Sequence, residues 1–245
     1  MKTLILAAGY ATRLYPLTKH WPKPLLVVKE KPIINHIIEK IDGLKENNEI
    51  IVITNEKFLQ QFKDWAKNNK TKAKLTVLSD KTTSADGRLG SIGDINFAIN
   101  EHAIDEDLLV IGGDNLFSFD LERFVKSCRK KKINAAIGLY DIKDPAMVKN
   151  FGVVTLDKKN KIIDFKEKPK KSASTLISMC IYCFAKENLK LIKKYISRKD
   201  CHDTSGDYIK WLSCEIDVSG YTFNGTWYDI GDIITFYHAN IAFNG

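Results

Sequence analysis

Long apolar runs are missing from this chain. No stretch approaches the ~20 residues of a membrane-spanning helix, and the amino-terminal run from Leu4 to Ala8 is too short for a secretory signal. Cysteine is sparse and odd in number: five thiols, at Cys128, Cys180, Cys183, Cys201 and Cys214, fit a reduced compartment better than a disulfide framework. Internal repeats, low-complexity tracts and flexible linkers are absent as well. These absences leave a soluble, cytoplasmic protein with no membrane partner, folded as one domain over residues 1–245.

What is present is a core and a positive balance. Hydrophobic residues make up 44% of 245 positions, enough for one large α/β domain. A net charge of +8 is compatible with nucleic acid, an acidic small substrate or a lysine-rich solvated surface. The densest basic cluster, Arg129 to Lys132, closes a predicted helix and has no interleaved aromatics, which argues against nucleic acid.

Short β-rich runs alternate with helical stripes. Thr3–Ala8, Ile50–Thr54, Leu75–Leu78 and Leu108–Ile111 read as buried parallel strands. Ile34/Ile37/Ile38/Ile41, Phe58/Phe62/Trp65 and Ile92/Ile95/Ile99 stripe the helices between them. Beyond Tyr140 the pattern changes to a hairpin, Phe151–Asp157 with Ile162–Phe165, and a strand at Leu176–Phe184. The expected fold is a three-layer, Rossmann-like α/β sheet, mixed but mainly parallel. Residues 1–140 and 141–245 would form its two halves, with ligands at the carboxyl ends of the strands. The lone Cys180-x-x-Cys183 falls inside an apolar strand and reads as core filling rather than a zinc or redox pair.

The first strand runs into Gly9-Tyr-Ala11-Thr12-Arg13, a loop of small residues able to turn N–H groups toward phosphate. Arg13 and Lys23, the latter held between Pro22 and Pro24, add two cations. The fourth strand ends in Gly112-Gly113-Asp114-Asn115, where a carboxylate is placed to hold magnesium bound also to phosphate oxygens, unless it serves only as a turn former. Downstream lie Glu167-Lys168-Pro169, by itself a common solvated turn, and Trp227-Tyr-Asp229-Ile-Gly231, with Asp232 expected as a helix N-cap.

Leu6 to Leu25 resembles the signature L-A-A-G-x-G-T-R-L-x-P-L-T-x-x-x-P-K-P-L of sugar-1-phosphate nucleotidylyltransferases, with Ala11 replacing the second glycine. The resemblance implies nucleotide contacts at Leu6, Ala8, Gly9, Ala11 and Thr12, a pyrophosphate-holding Arg13, and a Lys23 that stabilises the phosphorus under attack. It extends to the Phe-Gly-Val-Val hairpin with E-K-P, implying a sugar-phosphate site at Gly152, Glu167 and Lys168. It also reaches W-x-D-x-G, implying that Asp229 joins Asp114 on magnesium.

Two departures bear on specificity. The base-contacting loop of thymidylyltransferase-like members, Q-P-S-P-D-G, is here Thr82-Thr-Ser-Ala-Asp86-Gly87, and a sugar-facing glycine is here Cys180. Thr82, Asp86 and Gly87 are the expected base contacts, and Cys180 an expected sugar contact. Partners read as a nucleoside triphosphate, pyrimidine favoured, and a sugar 1-phosphate. A cytidylyltransferase acting on a phosphorylated alcohol, a nucleotide-sugar-dependent glycosyltransferase, a non-catalytic nucleotide-sugar sensor and a homo-oligomer all stay open.

Overall fold

The computed structural model describes residues 1–130 and 134–244; Lys131 and Lys132 of the basic cluster lie outside the described residues. Nine strands form the main sheet: β1 (Lys2–Leu6), β2 (Glu49–Thr54), β3 (Lys74–Ser79), β4 (Leu108–Gly112), β5 (Ala135–Asp141), β6 (Gly152–Leu156), β7 (Ile162–Glu167), β8 (Leu176–Phe184) and β9 (Val218–Phe223). β3, β2, β1 and β4 lie side by side and parallel, the arrangement expected from alternating strands and helices. β8 then pairs antiparallel with β4, β5 and β6, β7 pairs antiparallel with β6, and β9 lies parallel on β5. The sheet is mixed with a parallel centre, and it continues through both halves of the chain.

Alternation along the strands sorts the core into two layers. Ile5, Ile50, Val52, Leu109 and Ile111 face one side and pack with α1 (Ile33–Asp42), α2 (Leu59–Lys67) and α4 (Glu122–Lys130). Leu4, Ile51, Ile53, Leu108 and Val110 face the other, against α3 (Gly90–Glu101), α5 (Leu189–Ile196) and α6 (Ser205–Glu215). Each such Ile or Leu is fully buried, contributing about 1.5–3 kcal/mol against exposure. Parallel strands covered on both faces read as continuous apolar runs, which is why β1, β2 and β4 were visible in sequence, whereas β3, at the sheet edge, is only partly buried. A third, smaller cluster joins Leu14 of the loop after β1 to Leu116, Ile230 and, from α7 (Ile233–Ala242) and just beyond it, Ala239 and Phe243. It anchors the loops at the carboxyl end of the sheet. Asp232 caps α7 by accepting from the Thr235 N–H at 2.8 Å, as expected. Among the described residues no helix is long and apolar enough to cross a membrane.

Candidate active site

The loop after β1 is pinned at several points. Asn55 Nδ2 donates to the Ala8 carbonyl at 2.9 Å, and the Thr18 hydroxyl donates to the Ala11 carbonyl at 2.7 Å. Ala11 adopts φ 48°, the left-handed conformation a glycine takes without strain, so the one departure from the signature keeps the glycine backbone. Nothing lies within 4 Å of where a Cβ on Gly9 would project, so the loop presents open backbone. A cavity of about 280 Å³ is lined by Leu6, Gly9, Ala11, Thr12, Arg13, Lys23 and Asp114.

Gly113 explains why Asp114 meets that loop. Its N–H donates to the Leu6 carbonyl at 2.8 Å, and a Cβ there would stand 2.7 Å from that same oxygen and 3.2 Å from Pro24 Cγ. Only a glycine lets the end of β4 approach this closely. Lys23 Nζ then donates to Asp114 Oδ2 at 2.6 Å.

Asp229 arrives from the far end of the chain on a short antiparallel ribbon. Asn115–Phe117 pairs with Trp227–Asp229, setting Asp229 opposite Asn115 and next to Asp114. The Trp227 indole donates to Asn115 Oδ1 at 2.7 Å, and Asn115 Nδ2 donates back to the Gly112 carbonyl at 3.1 Å. Burial, with the charge of Asp114 added, pushes the Asp229 carboxyl up to about 6, against the pull of Lys23 and Arg13. Two carboxylates and two cations therefore meet at one point. They are the hard oxygen donors a divalent cation takes, beside the cations an anionic ligand requires.

Arg13 lines a second, larger cleft as well, about 580 Å³, with Asp229, Glu167, Lys168, Gly152 and Cys180. Glu167 ends β7 half-buried against the start of α6, where a Cβ on Gly206 would collide with its Oε2. Burial raises the Glu167 carboxyl, opposed by Lys168 and reinforced by Asp207. Lys168 is exposed, its Nζ 3.7 Å from Glu167 Oε1. Cys180 sits at φ 55° where the register of β8 shifts, and burial holds its thiol protonated, pushed up to about 12. Thr82 is buried with its hydroxyl bonded internally, whereas Asp86 and Gly87 stand exposed in a loop at the surface.

Residues 204–206 also line the cleft. Thr204 caps α6 by accepting from the Asp207 N–H at 3.1 Å, as the sequence indicates, yet Thr204, Ser205 and Gly206 line the cavity too. Tyr182 donates to Ser205 Oγ at 3.0 Å, and Ser178 Oγ is buried there without a partner. A capped helix start at the carboxyl edge of a sheet is a signal for anion or hydroxyl binding that the sequence carried unread. Arg88 Nε and Asp203 Oδ2, 3.3 Å apart, tie this segment to the 82–91 loop.

A family model described as nucleotidyl transferase matches residues 2–244. The chain belongs to the nucleotidyl transferase family. It is 37% identical over 233 residues to the bifunctional protein GlmU of Methanocaldococcus jannaschii, covering 94% of the chain and 51% of that protein. It is 29% identical to a Sulfolobus acidocaldarius protein assigned as a mannose-1-phosphate guanyltransferase, covering 94% and 60%. The chain thus spans about half the length of the archaeal relatives it matches. Among solved structures, a Bacillus anthracis protein assigned as a glucose-1-phosphate thymidylyltransferase, in complex with a sucrose, aligns over 100% of this chain and 97% of its own. Its TM-score is 0.80 at 26% identity. A UDP-glucose pyrophosphorylase complexed with UDP-glucose shares the fold, with TM-score 0.82 at 21% identity and coverage of 98% and 97%.

Proposed function

We propose that the chain transfers a nucleotidyl group from a nucleoside triphosphate to a sugar 1-phosphate, giving a nucleotide sugar and pyrophosphate. The observation that carries this reading is Arg13 lining both cavities, with the Lys23–Asp114 pair in one and Asp229 in the other. Residues 1–140 take the triphosphate and 141–245 the sugar phosphate.

The reaction is an in-line displacement: a phosphate oxygen of the sugar phosphate attacks the α-phosphorus, and the bond to pyrophosphate breaks. A phosphate dianion is already nucleophilic, so the protein's task is to bring two anions together and neutralise the charge that builds between them. Loop N–H groups from Ala8 to Thr12 bind the triphosphate, Arg13 holds the departing pyrophosphate, and Lys23 stabilises the pentacoordinate phosphorus. Lys168 binds the sugar's phosphate and Glu167 accepts from its hydroxyls, with Gly152 and Cys180 shaping the floor. Asp114 and Asp229 would hold Mg²⁺, whose charge screens the phosphates and polarises the reacting phosphoryl group when bound.

The base is read by the 82–88 loop, and we propose a pyrimidine. Arg88, a donor-only group on that loop, suits a base presenting acceptors, a pyrimidine carbonyl or guanine O6. Pyrophosphate release, measured with magnesium for five nucleoside triphosphates against sugar 1-phosphates and phosphorylated alcohols, tests both parts. Release with a pyrimidine triphosphate and a sugar 1-phosphate is expected. A purine preference would overturn the base assignment, and silence across the matrix would overturn the transferase reading in favour of a sensor or a glycosyltransferase.

A further inference from the structure

Beneath the signature loop runs a buried polar chain that the transfer chemistry does not use. Asp94, on the inner face of α3, is 7% exposed, and its Oδ1 has no hydrogen-bond partner. It faces Asp80, which follows β3 and is itself buried. Asp80 accepts from the Thr82 backbone N–H at 2.7 Å and from the Thr82 hydroxyl at 3.0 Å. With its proton directed at Asp80, the Thr82 oxygen is left to accept from the Tyr10 hydroxyl at 3.1 Å. Tyr10 stands between Gly9 and Ala11 in the triphosphate loop. The Thr82 hydroxyl is thereby engaged by Asp80 on one side and Tyr10 on the other, a strut between the two loops.

Two carboxylates facing each other at this depth cannot both be ionised, and one proton between them turns repulsion into a hydrogen bond. We propose that Asp94 is a positioning residue for nucleotide binding: protonated, it donates to Asp80, and through Thr82 and Tyr10 it holds the 82–88 loop against the triphosphate loop. The proposal rests on the transferase reading for the identity of those loops. Burial, then the charge of Asp80, pushes the Asp94 carboxyl up to about 8, so the proton is in place at neutral pH. The other titratable groups acting on the chain are acidic too. Burial raises Asp80 and Tyr10, and Glu56, at the turn after β2, adds its charge to the field at Asp80. As the pH rises through the Asp94 value, a second negative charge appears opposite Asp80 and the strut loosens.

The test compares wild type with Asp94→Asn, which keeps an N–H donor and cannot ionise, and Asp94→Leu, which can neither donate nor ionise. Each is assayed between pH 6.5 and 9 with the magnesium complex of the triphosphate that gives the fastest pyrophosphate release. Wild-type KM for triphosphate is expected to rise about tenfold above pH 8 while kcat changes little, the loss of roughly one buried hydrogen bond. Asp94→Asn should hold a flat KM near the wild-type neutral value, and Asp94→Leu should raise KM at every pH. An Asp94→Asn profile parallel to wild type, or an unchanged KM in Asp94→Leu, overturns the proposal. Amide hydrogen exchange of residues 80–88 needs no turnover: faster exchange in wild type than in Asp94→Asn at pH 9, but not at pH 7, supports the strut, and equal exchange overturns it. Absence of turnover in all three proteins would sink the transferase reading separately.

Discussion

The Lys23 ammonium stands 2.6 Å from Asp114 Oδ2, with its side chain 14% exposed and that of Asp114 32%. The pair joins the signature loop to the end of β4, and it keeps one of the two acidic groups neutralised. Removing either member leaves its partner's charge uncompensated in a partly buried site.

Lys23→Ala is therefore expected to lower kcat by about 10²–10³, the range for a group that meets charge developing in the transition state, with KM for either substrate changed much less. Asp114→Ala and Asp229→Ala should each abolish pyrophosphate release while leaving the thermal midpoint within a few degrees of wild type. Near-normal turnover in both Asp variants would remove the metal assignment.

Lys168 is exposed and only loosely paired with Glu167, so its charge is available to a ligand. Lys168→Ala should raise KM for the sugar phosphate about tenfold and spare kcat, the signature of binding shared by ground and transition states. A defect divided equally between kcat and the triphosphate KM would place Lys168 elsewhere in the reaction.

Ala11 holds a left-handed backbone that costs a non-glycine residue about 1–2 kcal/mol. Ala11→Gly relieves this strain but adds about 0.4–1 kcal/mol of freedom to the unfolded chain. The net expectation is a gain of about 0.5–1 kcal/mol, read from urea unfolding midpoints. A loss of stability would mean that the Ala11 methyl packs more tightly than the backbone geometry implies.

Glu49 opens β2 almost fully buried. Burial alone would raise its carboxyl, but Thr76 at 2.7 Å, Lys2 at 2.9 Å, and Lys74 and His102 at 3.0 Å hold it well below the usual range. A carboxylate depressed in the folded state contributes stability above the unfolded value of about 4.3 and loses it as the pH falls toward the folded value. Wild type should thus lose urea resistance between pH 5 and the most acidic pH at which it stays folded, and Glu49→Gln should start lower and fall less. Parallel curves would assign the acid sensitivity to other carboxylates.

The parallel strands and their helices were legible because burial on both faces writes continuous apolar runs, and because Phe62 with Trp65, or Ile92 with Ile95, write a helical period. Asn115–Phe117 and Trp227–Asp229 were not legible as strands: three residues carry no period, and their pairing is set by packing on α7 and by the Trp227–Asn115 bond. β9, Val218-Ser-Gly-Tyr-Thr-Phe223, hid behind its polar and glycine positions and takes its place from β5 and from the Gly220 N–H donating to the Asn160 carbonyl at 2.8 Å. Arg13, Lys23, Asp114 and Asp229 could be named from their signatures. The hydrogen bonds of Thr82 to Asp80 and Tyr10 could not, because Tyr10 is brought to it only by the fold, from a loop 72 residues away in sequence.

β8 carries a consequence for motion. Its Ile181–Phe184 segment is hydrogen-bonded to β4, and on the other side of the register shift at Ser178–Tyr182 Ile177 pairs with Val153 of β6, so a single strand connects the one that delivers Asp114 to the hairpin that carries Glu167 and Lys168. A hinge between the two halves would have to break that pairing in the middle of the core. The rims are tied separately, at the surface, where exposed Arg88 and Asp203 clasp the loop before α3 to the start of α6. Loops at such a rim move on nanosecond to microsecond scales, faster than the swing of whole domains, so the surface clasp can part without disturbing the sheet beneath it.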